Sequence, residues 1–280
     1  MKTYRLQVTA KDHGMGLLSF LRDKCKGQQL SVKALKRAID GKQCSVNGRV
    51  QFFSTHTLST GDRIELRLSE EKRNPSSLQT LFEDDYLLIC NKPAGLVCTP
   101  DINRYSLVHR LDKETSGVLI FAKESLVEEK MAALFAKRQM KKQYLAIVDG
   151  QLQDEGKLDH FLVPKTSFDG AVLYGLSKKK NGKRAITFWK CLERGADASL
   201  VSIEPITGRT HQIRVQFEVL GHPVLGDWHY AAQFQCSYRP VRHLLHSYQI
   251  QFVHPITGKN MDVIAPLPQD FLEAKTALNL

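Results

Sequence analysis

The chain has 280 residues, 42% hydrophobic and 25% charged, which is the composition of a globular protein of one large or two smaller domains and excludes disordered and fibrous classes. Forty Lys and Arg stand against 29 Asp and Glu, and the net charge of +11 points to a polyanionic partner, nucleic acid ahead of an anionic membrane surface. Apolar runs such as Tyr86-Leu87-Leu88-Ile89-Cys90 fall far short of the roughly 20 residues of a membrane-spanning helix. The opening MKTYRLQVTAKDHG carries no apolar stretch of a secretory signal, so a cytoplasmic protein is expected. The six Cys, at 25, 44, 90, 98, 191 and 236, show no metal-binding or disulfide spacing and read as reduced thiols.

Residues 1–70 hold 13 basic and 6 acidic side chains, a net of +7, so a quarter of the chain carries most of the excess charge. Leu17, Phe20, Leu21 and Cys25 recur at helical spacing and predict a helix over 16–25. Ser31 as N-cap, the stripe Val32, Leu35 and Ile39, and Gly41 as a stop predict a second helix. Its other face gathers Lys33, Lys36 and Arg37, placed to neutralise neighbouring phosphates. Val46-Asn47-Gly48-Arg49-Val50 is a hairpin signal. After the turn Gly61-Asp62, Ile64, Leu66 and Leu68 alternate with charged residues as a half-buried strand. Helix, VNG hairpin and GD turn in this order resemble the small RNA-binding domain first described in ribosomal small-subunit protein four, an S-four-like domain. Residues 71–79, with Pro75, read as a linker.

From residue 80 the pattern turns to strands with few helices. Strands are expected over 86–90, 118–122, 143–148, 186–191, 200–203 and 248–253. A helix over 126–139 follows a capping box, Ser125 to Glu128, and Thr210 is a candidate cap for another ending before Gly221. The expected fold is α+β: a large, mixed, mostly antiparallel sheet with flanking helices over 80–280, behind a small α/β domain over 1–70.

Phosphate-loop, dinucleotide, serine-hydrolase and zinc-protease signatures are all absent. On spacing alone, Asp112 in His109-Arg110-Leu111-Asp112-Lys113-Glu114 is a turn or salt-bridge residue. Six ordered blocks add more: NKPAG at 91–95, HRLDKETSG at 109–117, KKQYLAIVDG at 141–150, GRTHQIRV at 208–215, GHPVLGDWHY at 221–230 and RHLLH at 242–246. Together they resemble the RluA-type family of RNA pseudouridine synthases, over about residues 80–268.

The resemblance implies isomerisation of uridine in ribosomal RNA, large-subunit RNA favoured, or in transfer RNA, with neither cofactor nor metal. It assigns the catalytic carboxylate to Asp112, its Arg partner to Arg214, and a ring stacked on the uracil to Tyr144. It places Leu245 in the base pocket and gives Arg110 the task of filling the gap left by the extruded base. A guanidinium is what such a carboxylate needs, since burial disfavours its charged form and a nearby cation restores it. Lys113, Arg209, Lys141, Lys142 and the run 178–180 are candidate contacts for the RNA backbone, beside Lys33, Lys36 and Arg37. Only thirteen residues separate NKPAG from HRLD, where many relatives that modify ribosomal RNA have a longer insert. Gln216 and Ser247 replace a common His and a frequent Ala, and neither is expected to touch Asp112, Tyr144 or Arg214. No DNA or membrane partner is expected, and nothing demands more than a monomer. Two other classes compete: a non-catalytic RNA-binding or ribosome-assembly protein, and a metal-dependent hydrolase using His109, Asp112, His211 or the His243–His246 pair, which lack a recognised ligand spacing.

Overall fold

The computed structural model describes residues 2–25, 35–36, 38–39, 43–51, 53–68, 78–168, 171–177, 181–231 and 233–280. The chain divides into two compact units, Met1–Ser77 and Leu78–Leu280.

In the first unit β1 (Lys2–Gln7), β2 (Cys44–Val46), β3 (Arg49–Val50) and β4 (Arg63–Leu68) form an antiparallel sheet of order β1-β4-β2-β3. The helix Leu17–Lys24 buries Leu17, Phe20 and Leu21 against it, and the helical residues Leu35, Ala38 and Ile39 join the same core. Asn47 and Gly48 both take positive φ, 52° and 77°, the geometry a tight two-residue hairpin demands. Asn47 also ties the VNG turn to the GD turn: its Oδ1 accepts the Arg63 N–H at 2.9 Å and its Nδ2 donates to Asp62 Oδ1 at 2.8 Å. Lys36 is half-buried, while Lys33 and Arg37 lie outside the described residues.

The second unit is built on β5 (Gln79–Glu83), β6 (Leu87–Lys92), β7 (Ser106–Leu107), β8 (Ser116–Ala122), β9 (Lys141–Asp149), β10 (Glu155–Phe168), β11 (Ala171–Leu176), β12 (Lys183–Arg194), β13 (Ala198–Pro205), β14 (Leu245–Val253) and β15 (Asn260–Ile264). Among the described residues these make one sheet of order β11-β10-β12-β13-β9-β14-β8-β6-β5, with β15 added on β14 and β7 on β8. Its pairings are antiparallel except β14 with β8, a short parallel contact of His246 with Ser116 and Ser247 with Gly117. The helix Ser125–Ala136 packs Val127 and Met131 on the β6–β8 half. On the other half, Gln212–Val219 lies on one face through Ile213 and Phe217. Gln269–Ala277 lies on the opposite face through Phe271 and Ala274. Among the described residues no helix is long and apolar enough to cross a membrane.

Several local expectations are corrected. Ser125 is the first helical residue and Glu124 the N-cap, with no side-chain cap bond, so no capping box forms. Thr210 is not a cap either; that position belongs to His211, which is left-handed at φ 55°. Gln79, placed in the linker, opens β5. The hairpin of β10 and β11 reads poorly in the sequence because charged side chains and Pro164 interrupt β10. Pro164 is tolerated because it lies past Leu162, where pairing with β12 ends, and at a register shift against β11.

Candidate active site

The site lies where the two halves of the sheet meet, at the parallel contact of β8 and β14. Gly117 makes that contact possible. It has φ +111°, and a Cβ there would come within 2.1 Å of the Ser247 carbonyl oxygen.

The loop entering β8 is gripped residue by residue. Asp112 receives a hydrogen bond from Arg214 at 2.9 Å. The Lys113 carbonyl accepts from the ammonium of Lys92 at 3.0 Å, and the Glu114 carbonyl from Arg242 at 2.9 Å. Thr115 Oγ1 lies 2.9 Å from His243 Nε2, and Ser116 Oγ lies 2.9 Å from His246 Nδ1. His246 Nε2 faces the Ala265 carbonyl, which can only accept, so the proton sits there and the Ser116 hydroxyl donates to Nδ1. Five consecutive residues thus have five separate anchors. Fixing a side chain in this way is what preorganisation of a site requires.

Lys92, in NKPAG, is fully buried, and its three protons go to the carbonyls of Pro93, Leu96 and Lys113. Burial pushes its pKa down to about 8. The sequence reading missed it, because a lysine beside a proline looks like a surface turn. Arg242, missed as well, is buried and forks onto Asp270 at 2.6 and 2.9 Å.

Arg214 is inward, as its apolar neighbours Ile213 and Val215 suggest; residues 212–217 of its helix are all buried. Its guanidinium forks onto the buried Asp227, Nε to Oδ2 at 2.6 Å and Nη2 to Oδ1 at 2.9 Å, and turns Nη1 to Asp112 Oδ2. Burial works against the cation, yet the bonds and charge of Asp227, with the charge of Asp112, outweigh it and raise the Arg214 pKa. Asp227 stands in GHPVLGDWHY without having been singled out. Its placement depends on Gly226, φ +80°, where a Cβ would meet the Arg242 carbonyl oxygen at 2.1 Å.

The guanidinium also lies over the Tyr230 ring, 5.0 Å from its centre. The Tyr230 hydroxyl accepts the Tyr174 N–H at 3.0 Å and lies 2.7 Å from His211 Nδ1. His211 Nε2 is 3.8 Å from Asp112 Oδ1, outside hydrogen-bond range. The Asp112 side chain keeps 26% exposure; Arg214 holds its Oδ2, and no hydrogen bond to Oδ1 is found among the described residues.

Opposite this polar wall stands an apolar one. Tyr144, half-buried on β9, packs against two apolar clusters, one that includes Leu111 and Leu119 and one that includes Ile213 and Leu245. Burial pushes its pKa up to about 12, with the charge of Asp112 adding to the effect and the Ser247 hydroxyl opposing it. Ser247 is the direct cross-strand partner of Tyr144, so the expectation that it would not touch the site residues is corrected. Gln216 does stand apart: it accepts from Thr187 at 2.6 Å and donates to the Ala185 carbonyl.

Arg110, the residue given the gap-filling task, is exposed, and Glu114 lies 3.6 Å from Lys113. Lys113 is half-exposed, and the exposed Arg209 donates to the Arg184 carbonyl at 3.1 Å. The run 178–180 lies outside the described residues. His109 accepts the Ile120 N–H on Nε2, and burial pushes its pKa down to about 4. Among the described residues no group of three or more His, Cys, Asp or Glu could hold a metal ion.

A sequence profile described as RNA pseudouridylate synthase matches residues 86–219, which contain Asp112, Tyr144 and Arg214. An uncharacterized RNA pseudouridine synthase of Synechocystis is 30% identical over 95% of this chain and 91% of its own length. A ribosomal large subunit pseudouridine synthase D of Zymomonas mobilis is 34% identical over 69% of this chain and 70% of its own. The chain belongs to the RNA pseudouridine synthase family. It is an isomerase acting on RNA, of the RluA type, and the non-catalytic alternative is not favoured. The fold of the synthase agrees with the solved human RNA pseudouridylate synthase domain containing 4, at a TM-score of 0.62 and 26% identity over 73% of this chain and 95% of that one.

Proposed function

We propose that this synthase isomerises uridine in large-subunit ribosomal RNA in the cytoplasm, with Asp112 as its catalytic carboxylate. The observation that carries the reading is the asymmetric hold on Asp112, whose charge reaches Tyr144: Arg214 takes Oδ2, and no hydrogen bond among the described residues takes Oδ1. Target RNA follows the curated relatives, among them a ribosomal large subunit pseudouridine synthase C of Vibrio cholerae, 33% identical over 71% of this chain and 68% of its own.

The reaction breaks the bond from the sugar to N1 of uracil, turns the base, and joins the sugar to C5. The C5 hydrogen leaves and N1 gains one, so no redox partner or donated group is needed. Asp112 Oδ1 supplies negative charge against the sugar or base as the bond breaks. Tyr144, a neutral phenol at physiological pH, offers a flat face to the uracil, and Leu245 closes the pocket beneath it. The uridine must leave its stack to reach these groups, and the exposed Arg110 fills the gap. The first unit, with its S-four-like pattern, adds affinity for RNA through Lys33, Lys36 and Arg37, with Lys113 and Arg209 on the second.

The test is a pseudouridine map of ribosomal RNA from cells lacking the protein. One or a few pseudouridines disappear, the intact chain restores them, and Asp112→Asn, with a rate at least about 10³-fold lower, does not. An unchanged map overturns the substrate assignment, and full activity of Asp112→Asn overturns the site.

A further inference from the structure

A concavity of about 320 Å³ lies between the start of β9 and the end of β13, with Arg138, Lys141, Lys142 and Glu204 in its lining. Three cations face one carboxylate across it, and none of them forms an ion pair within 4 Å among the described residues. Lys142 is the innermost. It is half-buried, and among the described residues its ammonium has one hydrogen bond, to the Thr207 carbonyl at 3.3 Å.

Two features make this arrangement unfavourable in itself. Lys142 is partly removed from water beside a like charge, Arg138. Arg138 itself occupies the left-handed position after the helix Ser125–Ala136, at φ 57°, where glycine is the unstrained choice. An anion in the pocket reverses the first effect and gives the second a use.

The pocket's place on the sheet indicates which anion. Lys142 and Tyr144 are two residues apart on β9 and so point to the same face, roughly 7 Å from each other. The charge of Lys142 also reaches His109, next to Arg110 in the loop that carries Asp112. From these positions we infer that the pocket binds a phosphodiester of the RNA beside the target uridine, with Lys142 and Arg138 as its cations. The inference rests on the proposed role of Tyr144 as the uracil-facing ring, and it sets the direction in which the strand leaves the cleft.

Burial, then the Arg138 charge, pushes the Lys142 pKa down to about 8, against the opposing pull of Glu204. Of the other groups near it, Lys141 also lines the pocket, and His109 is neutral at that pH. A bound phosphate raises the Lys142 pKa, so binding takes up a proton above pH 8 and affinity falls as pH rises from 8 to 10.

The experiment uses the full chain carrying Asp112→Asn, so that binding is read without turnover, and an unmodified large-subunit ribosomal RNA transcript. Adding Lys142→Gln raises Kd about tenfold at low salt and reduces the slope of log Kd against log salt by about one. Arg138→Gln acts in the same direction, and Lys142→Arg keeps affinity at pH 9 where the parent loses it. Acylation of Lys142 at pH 8.5 is blocked by a short uridine-containing RNA, while that of Lys275 is not. A Lys142→Gln slope equal to the parent's, or a loss no larger than that of Lys275→Gln, overturns the inference. An active Asp112→Asn enzyme overturns the active-site reading instead, so the two failures are distinguishable.

Discussion

Arg214 and Arg242 are built alike and used differently. Each is buried, and each forks two nitrogens onto one aspartate, Asp227 and Asp270. The difference lies in the remaining nitrogen. Arg242 spends it on the carbonyls of Glu114 and His243, which closes a structural staple. Arg214 spends it on the half-open carboxylate of Asp112. The aspartates differ in step: the Asp227 side chain is 1% exposed and that of Asp270 is 38%. The same fork thus serves as a fold anchor where it ends on backbone, and as a positioning device where it ends on a carboxylate that can still meet a substrate.

Removing the two aspartates tests the distinction. Asp227→Asn takes the buried counter-charge from Arg214 and frees the guanidinium to swing, so stability falls by about 3–5 kcal/mol. Because Asp112 loses its orientation, kcat falls about 10²-fold in the fraction that remains folded. Asp270→Asn has its effect on stability, about 1.5–3 kcal/mol in chemical denaturation, with kcat within a few-fold of the parent. Equal losses of kcat in the two variants would erase the contrast.

Lys92 is a third cation on the same loop, and its anchors are carbonyl dipoles alone. Its folded pKa of about 8 lies below the 10.5 of an ordinary lysine, so between those values the unfolded chain holds a proton that the native protein has released. Stability attributable to Lys92 therefore rises with pH across this window, by up to about 3 kcal/mol. The measurement is the difference in unfolding free energy between the parent and Lys92→Met at pH 7.5 and pH 10. The gap between them widens in the parent's favour as pH increases, and a constant gap would mean that the amine titrates normally.

What could be read from the sequence divides along physical lines. Asp112, Arg214 and Tyr144 stand in ordered blocks, and the inward direction of Arg214 shows in its apolar neighbours. Asp227, Lys92 and Arg242 escape such reading, since lysine, arginine and aspartate ordinarily face water and only the fold reveals which are enclosed. Among the elements, β8 is visible as an apolar run because both its faces are buried, whereas β10 has charged residues on its open face and a proline near its end. The left-handed His211 has no signal at all, as histidine at a helix start is no turn residue.

Ser247 gives the smallest of these effects, and it probes the apolar wall instead of the polar one. It is the cross-strand neighbour of Tyr144, and its hydroxyl is the group that opposes the upward shift of the phenol. Ser247→Ala removes that opposition without opening a cavity larger than one oxygen, so the Tyr144 pKa climbs further and the change in stability stays at about 1 kcal/mol. Ultraviolet titration of the phenols, with Tyr144→Phe to identify the signal, reads the shift. The rate at neutral pH changes only a few-fold, because the phenol is neutral with or without the serine. A large loss at pH 7 would instead mean that the serine hydroxyl orients the ring against the uracil, making it part of the same positioning system as Asp227.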